Sequence, residues 1–185
     1  MGRWLILALA ISGCAPWAAQ QQADDAFAKA LSAQLSHQDD TAEAYYKQIL
    51  VLGFDWSSVW NNLAAIEVHR HELRAARHLL ARARAASDQD LIALTNYGVV
   101  SFWLSDLREA ERAFETAQVL RRDLLNGIPT LGHDDYIRDR FARDTEHLAR
   151  LAEKYLARIA ADAKGETTQR PSDAELVADI TSYRF

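Results

Sequence analysis

The side chains closest to a metal-binding or catalytic spacing are His71 and Glu72, which begin like the zinc-binding pattern His-Glu-x-x-His. The fifth position of that pattern is Ala75, so the second imidazole ligand is missing. His69 and His71 lie two residues apart and would face different sides of a helix. The chain also lacks a Gly-x-Ser-x-Gly motif and a glycine-rich phosphate loop. We therefore expect no catalytic residues, no metal site and no cofactor, and hence no enzyme.

The thiol of Cys14, the single cysteine, lies in a different chemical setting. Arg3 precedes an unbroken apolar run of eight residues, 4–11, which is far shorter than the roughly 20 that a membrane-spanning helix needs. The run suits the apolar region of a secretory signal. Residues 11–14, Ile-Ser-Gly-Cys, resemble the lipobox of bacterial lipoproteins. That resemblance implies a signal peptide over 1–13, cleavage before Cys14 and acylation of its thiol. The alternative is an ordinary signal peptide with an incidental cysteine.

The same resemblance implies a location. Ala15, not aspartate, follows the cysteine, which by similarity to Gram-negative sorting rules favours the outer membrane, with the protein facing the periplasm. Two or more acyl chains anchor a protein stably in a bilayer. The polar residues 15–22 are expected to form a tether that reaches at most ~28 Å when extended at ~3.5 Å per residue. We expect residues 14–22 to be the acylated cysteine and its tether.

Composition limits the fold and the partners. The 185 residues include only 7 Gly and 3 Pro, which favours helices over chains of tight turns. The net charge of −5 argues against a nucleic-acid partner, and a single cysteine excludes an internal disulfide. The length suits one domain. We expect a helical protein that has no nucleic-acid partner and no small-molecule substrate.

An internal repeat of 34 residues runs through the middle of the chain, in the blocks 23–56, 57–90 and 91–124. Residues of similar size recur at the same offsets in each block. They are Ala26, Ala30, Ala42, Tyr46 and Ile49 in the first block, Trp60, Leu63, Ala64, Ala76, Leu80 and Ala83 in the second, and Leu94, Tyr97, Gly98, Ala110, Phe114 and Ala117 in the third.

This pattern resembles the tetratricopeptide repeat (TPR), in which small residues at positions eight and twenty let two helices approach closely. The sequence departs from the family at the eleventh position, and it lacks the usual proline near the end of each unit. The resemblance implies an all-α fold, a TPR-like α-solenoid of about three helix-turn-helix repeats. Asp106 and Glu109 resemble a capping box at the start of the sixth repeat helix. The alternative is an unrelated helical bundle with chance alanine spacing.

Beyond the repeats, residues 125–165 are expected to form a loop followed by a long capping helix. The loop covers 124–132, and the helix covers 134–164, which lacks glycine and proline. The helix packs over the last repeat or projects as a coiled-coil arm. Residues 166–185 form a C-terminal tail in which Ser172 and Glu175 have capping-box spacing for a short helix.

A TPR stack binds partners on the concave face that its first helices line, and the resemblance implies a groove here for an extended or helical protein segment. Asn62 and Asn96 share one repeat position and offer amides to a peptide backbone, while Phe102 and Trp103 offer apolar anchors. The alternative is that these side chains serve local bridging or the core. Few cations stand at the family's groove positions, so we expect an apolar or neutral partner segment. The full set of groove candidates is Phe27, Leu31, Asn61, Asn62, Thr95, Asn96, Val99, Phe102 and Trp103.

Two short sequence segments are similar to repeats of the lipoproteins that assemble type IV and tight-adherence (Flp) pili. They are Asn61-Asn62-Leu63-Ala64 and Leu94-Thr95-Asn96-Tyr97-Gly98. The resemblance implies a membrane-anchored scaffold or adaptor that assists assembly of an envelope machine such as a pilus or secretion system. One alternative is a TPR lipoprotein that regulates or scaffolds peptidoglycan enzymes. Another is a hydrolase whose site the sequence does not reveal.

Overall fold

The computed structural model describes the backbone of residues 4–128, 133–166 and 171–180, and the side chains of 17–128, 138–166 and 171–180. Every regular element within these ranges is an α-helix, which confirms the predicted all-α class. The helices are α1 (Trp4–Leu35), α2 (Asp39–Val51), α3 (Ser57–His69), α4 (Leu73–Ala86), α5 (Leu91–Trp103), α6 (Leu107–Gly127), α7 (His133–Asp144), α8 (Glu146–Ala163) and α9 (Asp173–Asp179). No described helix is both long and apolar enough to cross a bilayer.

The helices α1–α2, α3–α4 and α5–α6 pack as three successive hairpins, so the chain is a helical-repeat solenoid. The turn inside each hairpin repeats every 34 residues. A non-glycine residue there adopts a left-handed φ of 56–63°, and these residues are His37, His71 and Ser105. The N–H of Glu72 donates to the carbonyl of Glu67 at 2.8 Å, and the N–H of His71 donates to Val68 at 3.0 Å. This pair of bonds is a Schellman motif, in which glycine usually takes the left-handed position.

The repeated small and large residues meet as their spacing predicts. The small residues at positions eight and twenty are buried in each unit, and position eight of the third unit is Gly98 where the other two units have alanine. The larger residues Tyr46, Leu80 and Phe114 at position twenty-four are buried as well. A Cβ placed on Gly98 would lie 2.7 Å from the Phe114 ring. The absence of a side chain at Gly98 is therefore what allows α5 and α6 their close approach.

Three boundaries differ from the sequence-based expectations. Residues 15–22, expected to be an extended tether, belong to α1, and helix α6 continues through 124–127, where a loop was expected. The expected helix over 134–164 is interrupted at Thr145, whose φ of −101° and ψ of 0° leave the helical range. The Thr145 hydroxyl donates to the Phe141 carbonyl and accepts from Arg121 Nε at 2.9 Å, which draws this turn toward α6.

Helix α8 packs against α5 and α6 and occupies the place that the first helix of a fourth repeat would take. The expected packing of this segment over the last repeat is thereby confirmed. The chain then returns, and α9 lies against α3 and α5, the first helices of the second and third repeats. Ser172 caps α9 by accepting the N–H of Glu175 at 3.3 Å, as its spacing predicts. Asp106, in contrast, precedes α6 but makes no side-chain capping bond, and its carboxylate pairs with Arg77 instead.

Candidate functional site

The strongest candidate for a binding surface is the groove, by which we mean the face of α3, α5 and α8 that α9 covers. Its apolar floor contains Val68 from α3, Val99 and Trp103 from α5, and Tyr155 from α8. The Trp103 indole N–H donates to the Tyr155 hydroxyl at 3.1 Å. The ring of Phe102, which is partly exposed, meets the Tyr155 ring edge-on with centroids 4.9 Å apart. Helices α5 and α8 thus fix one aromatic cluster in the groove.

Of the predicted groove residues on α5, Val99 and Trp103 are buried in the apolar cluster that includes Leu176 of α9, whereas Phe102 is partly exposed. Val99 has no exposed surface, and Trp103 is only 5% exposed. Leu176 of α9, which is 1% exposed, belongs to the same apolar cluster. Contact of Val99 or Trp103 with a separate partner therefore requires that this part of the interior open, whereas Phe102 is partly accessible as the protein stands.

The asparagines have a different environment from the one expected. Asn61, Asn62, Thr95 and Asn96 have no exposed surface, so in this conformation their side chains do not reach a partner. The Thr95 hydroxyl donates to the carbonyl one turn earlier in its own helix, at 2.8 Å. This placement matches the alternative in which the amides bridge elements of the chain itself.

The buried amides form a hydrogen-bonded series, the polar chain, which runs across the first three helices and α5. Tyr46 Oη donates to Gln34 Oε1 at 2.9 Å and accepts from Asn62 Nδ2 at 3.0 Å. Asn61 Nδ2 donates to Asn62 Oδ1 at 3.4 Å, and Asn96 Nδ2 donates to Asn61 Oδ1 at 2.8 Å. Burial raises the pKa of Tyr46, so its phenol stays neutral and keeps both bonds. The polar chain connects units, which is a structural role.

Phe27 and Leu31, the candidates from the first repeat, also serve the interior. The Phe27 ring meets the rings of Tyr46 and Trp56 edge-on, each with centroids 5.9 Å apart. Leu31 is buried on the same helix. Neither residue lies with the cluster that forms the groove floor. Their contact with a partner on the concave face stays a prediction.

Two cations at the edge of the groove were missed by the sequence reasoning. Lys154 Nζ lies 2.6 Å from Asp179 Oδ2 and 2.7 Å from Glu175 Oε1, and Arg158 Nη2 lies 2.9 Å from that same glutamate oxygen. The Tyr155 hydroxyl donates to Asp179 at 2.8 Å. Helix α8, which lies outside the repeats, therefore holds the carboxylates of Glu175 and Asp179 and supplies two cations that the repeat positions did not predict.

These contacts shift the ionisation of the groups involved. The hydrogen bond from Lys154 lowers the pKa of Glu175, and Arg158 lowers it further, against the opposing effect of burial. Burial lowers the pKa of Lys154, but the bonds to Asp179 and Glu175 outweigh it and raise that pKa. Glu175 and Lys154 are therefore both charged near neutral pH. The edge of the groove is an electrostatic clamp for a pair of acidic side chains.

The repeat pattern did not identify Lys154 and Arg158 because they lie outside the 34-residue repeats. They are four residues apart on an amphipathic helix, and this spacing is equally typical of a solvated face. The one available signal is that Glu175 and Asp179 show the same spacing with the opposite charge. Only the return of α9 across the first helices turns these two spacings into a matched pair.

The remaining predictions of chemistry concern metals and Cys14. Among the residues that the structure describes, no three His, Cys, Asp or Glu side chains gather as metal ligands. The backbone of Cys14 belongs to α1, but its side chain, and hence the predicted acylation, lies outside the described side chains. No family model matches the chain, and no curated protein matches it.

Proposed function

We propose that this protein is a scaffold or adaptor that binds a helical segment of a partner protein in the groove. The observation that carries this proposal is the groove itself, whose apolar floor and basic edge accommodate a short amphipathic helix, α9. A helix laid with its apolar side in such a groove is a recurring mode of protein recognition. The polar chain supports the role by holding the units in one alignment, so that the floor is preorganised.

The scaffold is proposed to be anchored to a membrane through an acylated Cys14. The helical course of α1 supports a close attachment, because eight residues over 15–22 rise only about 12 Å at 1.5 Å each. Trp17 follows Cys14 by about one turn and is 70% exposed, and tryptophan favours the interface between bilayer and water. The proposed location is the periplasmic side of the outer membrane, which rests on the lipobox resemblance and on Ala15.

A narrower proposal is that the partner belongs to an envelope machine such as an Flp or type IV pilus. Its support is that the sequence segments around Asn62 and Asn96 are similar to repeats of pilus-assembly lipoproteins. Loss of surface pili on deletion of the gene is the expected outcome. Capture of a peptidoglycan synthase or hydrolase in the groove would instead favour the regulatory alternative.

Site-specific crosslinking in cells tests the scaffold. A photo-reactive amino acid replaces Phe102, which is partly exposed at the groove, and in a matched variant it replaces Val119, which is 45% exposed on the second helix of its repeat. We expect a discrete crosslinked partner from position 102 and none from position 119. An equal pattern from both positions, or no partner from either, would contradict binding in the groove.

The anchor is tested separately by labelling cells with a radioactive fatty acid. We expect label on the wild-type protein and none on Cys14→Ala, which should leave the membrane fraction. Label that persists in the variant would show a different attachment, and absence of label from the wild type would exclude the lipid anchor.

A further inference from the structure

The attachment of α9 to the groove is small compared with that of the other helices. The helix has seven residues, and an isolated helix of that length is marginal in water. Leu176 is its one fully buried side chain, whereas Asp173, Ala174 and Ala178 are exposed. Segments with few buried apolar contacts open locally at low free energy. Helix α9 is therefore the element of the groove best suited to leave it.

The surface under α9 is poorly suited to remain uncovered. Departure of α9 would withdraw Leu176 from the apolar cluster that includes Val68, Val99 and Trp103, and it would leave Lys154 and Arg158 without their carboxylates. A contiguous apolar patch with a charged edge marks a binding site. The open groove consequently favours an occupant that repeats both features of α9.

We propose that α9 is a built-in, displaceable occupant of the groove, and that the partner segment is an acidic amphipathic helix that replaces it. The partner would place a leucine or a similar side chain at the site of Leu176. It would place carboxylates one residue before and three residues after, as Glu175 and Asp179 stand in α9. This inference rests on the proposed function and specifies the chemistry of its partner.

Charge complementarity selects this class of partner over a neutral apolar helix. Lys154 contacts the carboxylates of Glu175 and Asp179, and Arg158 contacts that of Glu175 through Nη2. Among the described residues no acceptor reaches Arg158 Nη1, although that atom is buried. A guanidinium binds a carboxylate best through two nitrogens. A partner carboxylate that engaged both nitrogens would gain a bond that α9 does not make.

Helix α9 and a partner segment compete for the same groove. Helix α9 is joined to α8 by the nine residues 164–172, and short linkers give effective concentrations in the millimolar range. The apparent affinity for a partner is reduced by the fraction of molecules whose groove is open. Changes that loosen α9 without altering the groove should therefore strengthen partner binding.

The test titrates the full chain with a synthetic peptide of residues 171–180, capped at both ends, and follows the indole N–H resonance of Trp103. In the variant Glu175→Gln with Asp179→Asn, the clamp on α9 is weakened while Lys154 and Arg158 remain. We expect this variant to bind the peptide about tenfold more tightly than the wild type. The control Asp173→Asn changes an exposed carboxylate that pairs with no described cation, and its affinity should equal that of the wild type.

Two further arms keep the test decisive. Leu176→Ala removes the apolar anchor of α9 and should also strengthen peptide binding. Adding Lys154→Gln and Arg158→Gln to the loosened variant should weaken binding by tenfold or more, and a peptide with Gln and Asn in place of its two acidic residues should bind equally weakly. If neither loosened variant binds more tightly than the wild type, or if the substituted peptide binds as well as the original, the inference is wrong.

Failure of this inference is distinguishable from failure of the proposed function. A crosslinked partner from position 102 together with no gain in peptide affinity would keep the scaffold and exclude the exchange of α9. Tight peptide binding by the loosened variants with no cellular crosslink would show an exchangeable α9 and contradict the scaffold.

Discussion

Asn96 on α5 donates its side-chain amide to Asn61 Oδ1 on α3 across 2.8 Å, and neither side chain has any exposed surface. The two residues are 35 positions apart, one more than the repeat, so the bond joins one unit to the next. Apolar contacts tolerate a shift of one helix against another, but a buried amide requires a partner in a defined place. This bond therefore fixes how the third unit stacks on the second.

The first prediction concerns this bond. Asn96→Ala should lower the free energy of unfolding by about 1–3 kcal/mol, because it leaves the Asn61 carbonyl buried without this donor. The control Asn126→Ala removes an exposed amide near the end of α6 and should change stability by less than about 0.5 kcal/mol. Urea unfolding followed by circular dichroism measures both variants. Equal stability of the two would show that the bond does not hold the units together.

The second prediction compares a buried glycine within α5, Gly98, with an exposed glycine at the end of α6, Gly127. Gly98→Ala gains helix propensity of about 1 kcal/mol, but its Cβ would meet the fully buried Phe114 ring, which stacks on Tyr155 with centroids 5.4 Å apart. Overpacking of this kind costs about 1–3 kcal/mol, so we expect a net loss of stability and a lower Tm. Gly127→Ala meets nothing within 4 Å and should be neutral or slightly stabilising. A rise in Tm for Gly98→Ala would contradict the close packing of α5 on α6.

The third prediction tests the left-handed turn. Ser105 is exposed and has a φ of 63°, a conformation that glycine adopts without the steric cost borne by other residues. Ser105→Gly should stabilise the protein by about 0.5–1 kcal/mol. Ser32→Gly, a substitution within α1, should destabilise it by a similar amount. Thermal unfolding distinguishes the two, and the same sign for both changes would be inconsistent with the turn geometry.

The fourth prediction is the pH range over which α9 stays docked. Glu175 has a lowered pKa, so its contribution is complete above its ordinary value of 4.5 and is lost as the pH falls through the lowered pKa. Lys154 has a raised pKa, so its contribution is complete below 10.5 and is lost only above the raised pKa. We therefore expect α9 to detach in acid, below about pH 4.5.

The indole N–H resonance of Trp103 monitors this release, because it donates to Tyr155, which in turn bonds Asp179. The wild type should show an acidic step in chemical shift. The variant Glu175→Gln with Asp179→Asn should show none, since it lacks the Glu175 carboxylate whose protonation is expected to release α9. A step of equal size in both would assign the transition to another part of the fold.

The sequence by itself determined the repeat. The sizes of residues at fixed offsets predicted three helical hairpins, and the structure has them, because the packing of a hairpin depends on side chains that are near one another along the chain. The Ser172 cap was also predictable, since its partner lies only three residues away.

The tertiary structure alone decided which surfaces stay open. Asn62 and Asn96 had the position of groove residues, yet helices contributed by other parts of the chain enclose them. Lys154 and Glu175 became partners only because α9 turns back across the groove. Burial and charge pairing depend on which segments come to lie together in space, and the spacing of residues along one helix carries no information about a segment that joins it from far along the chain.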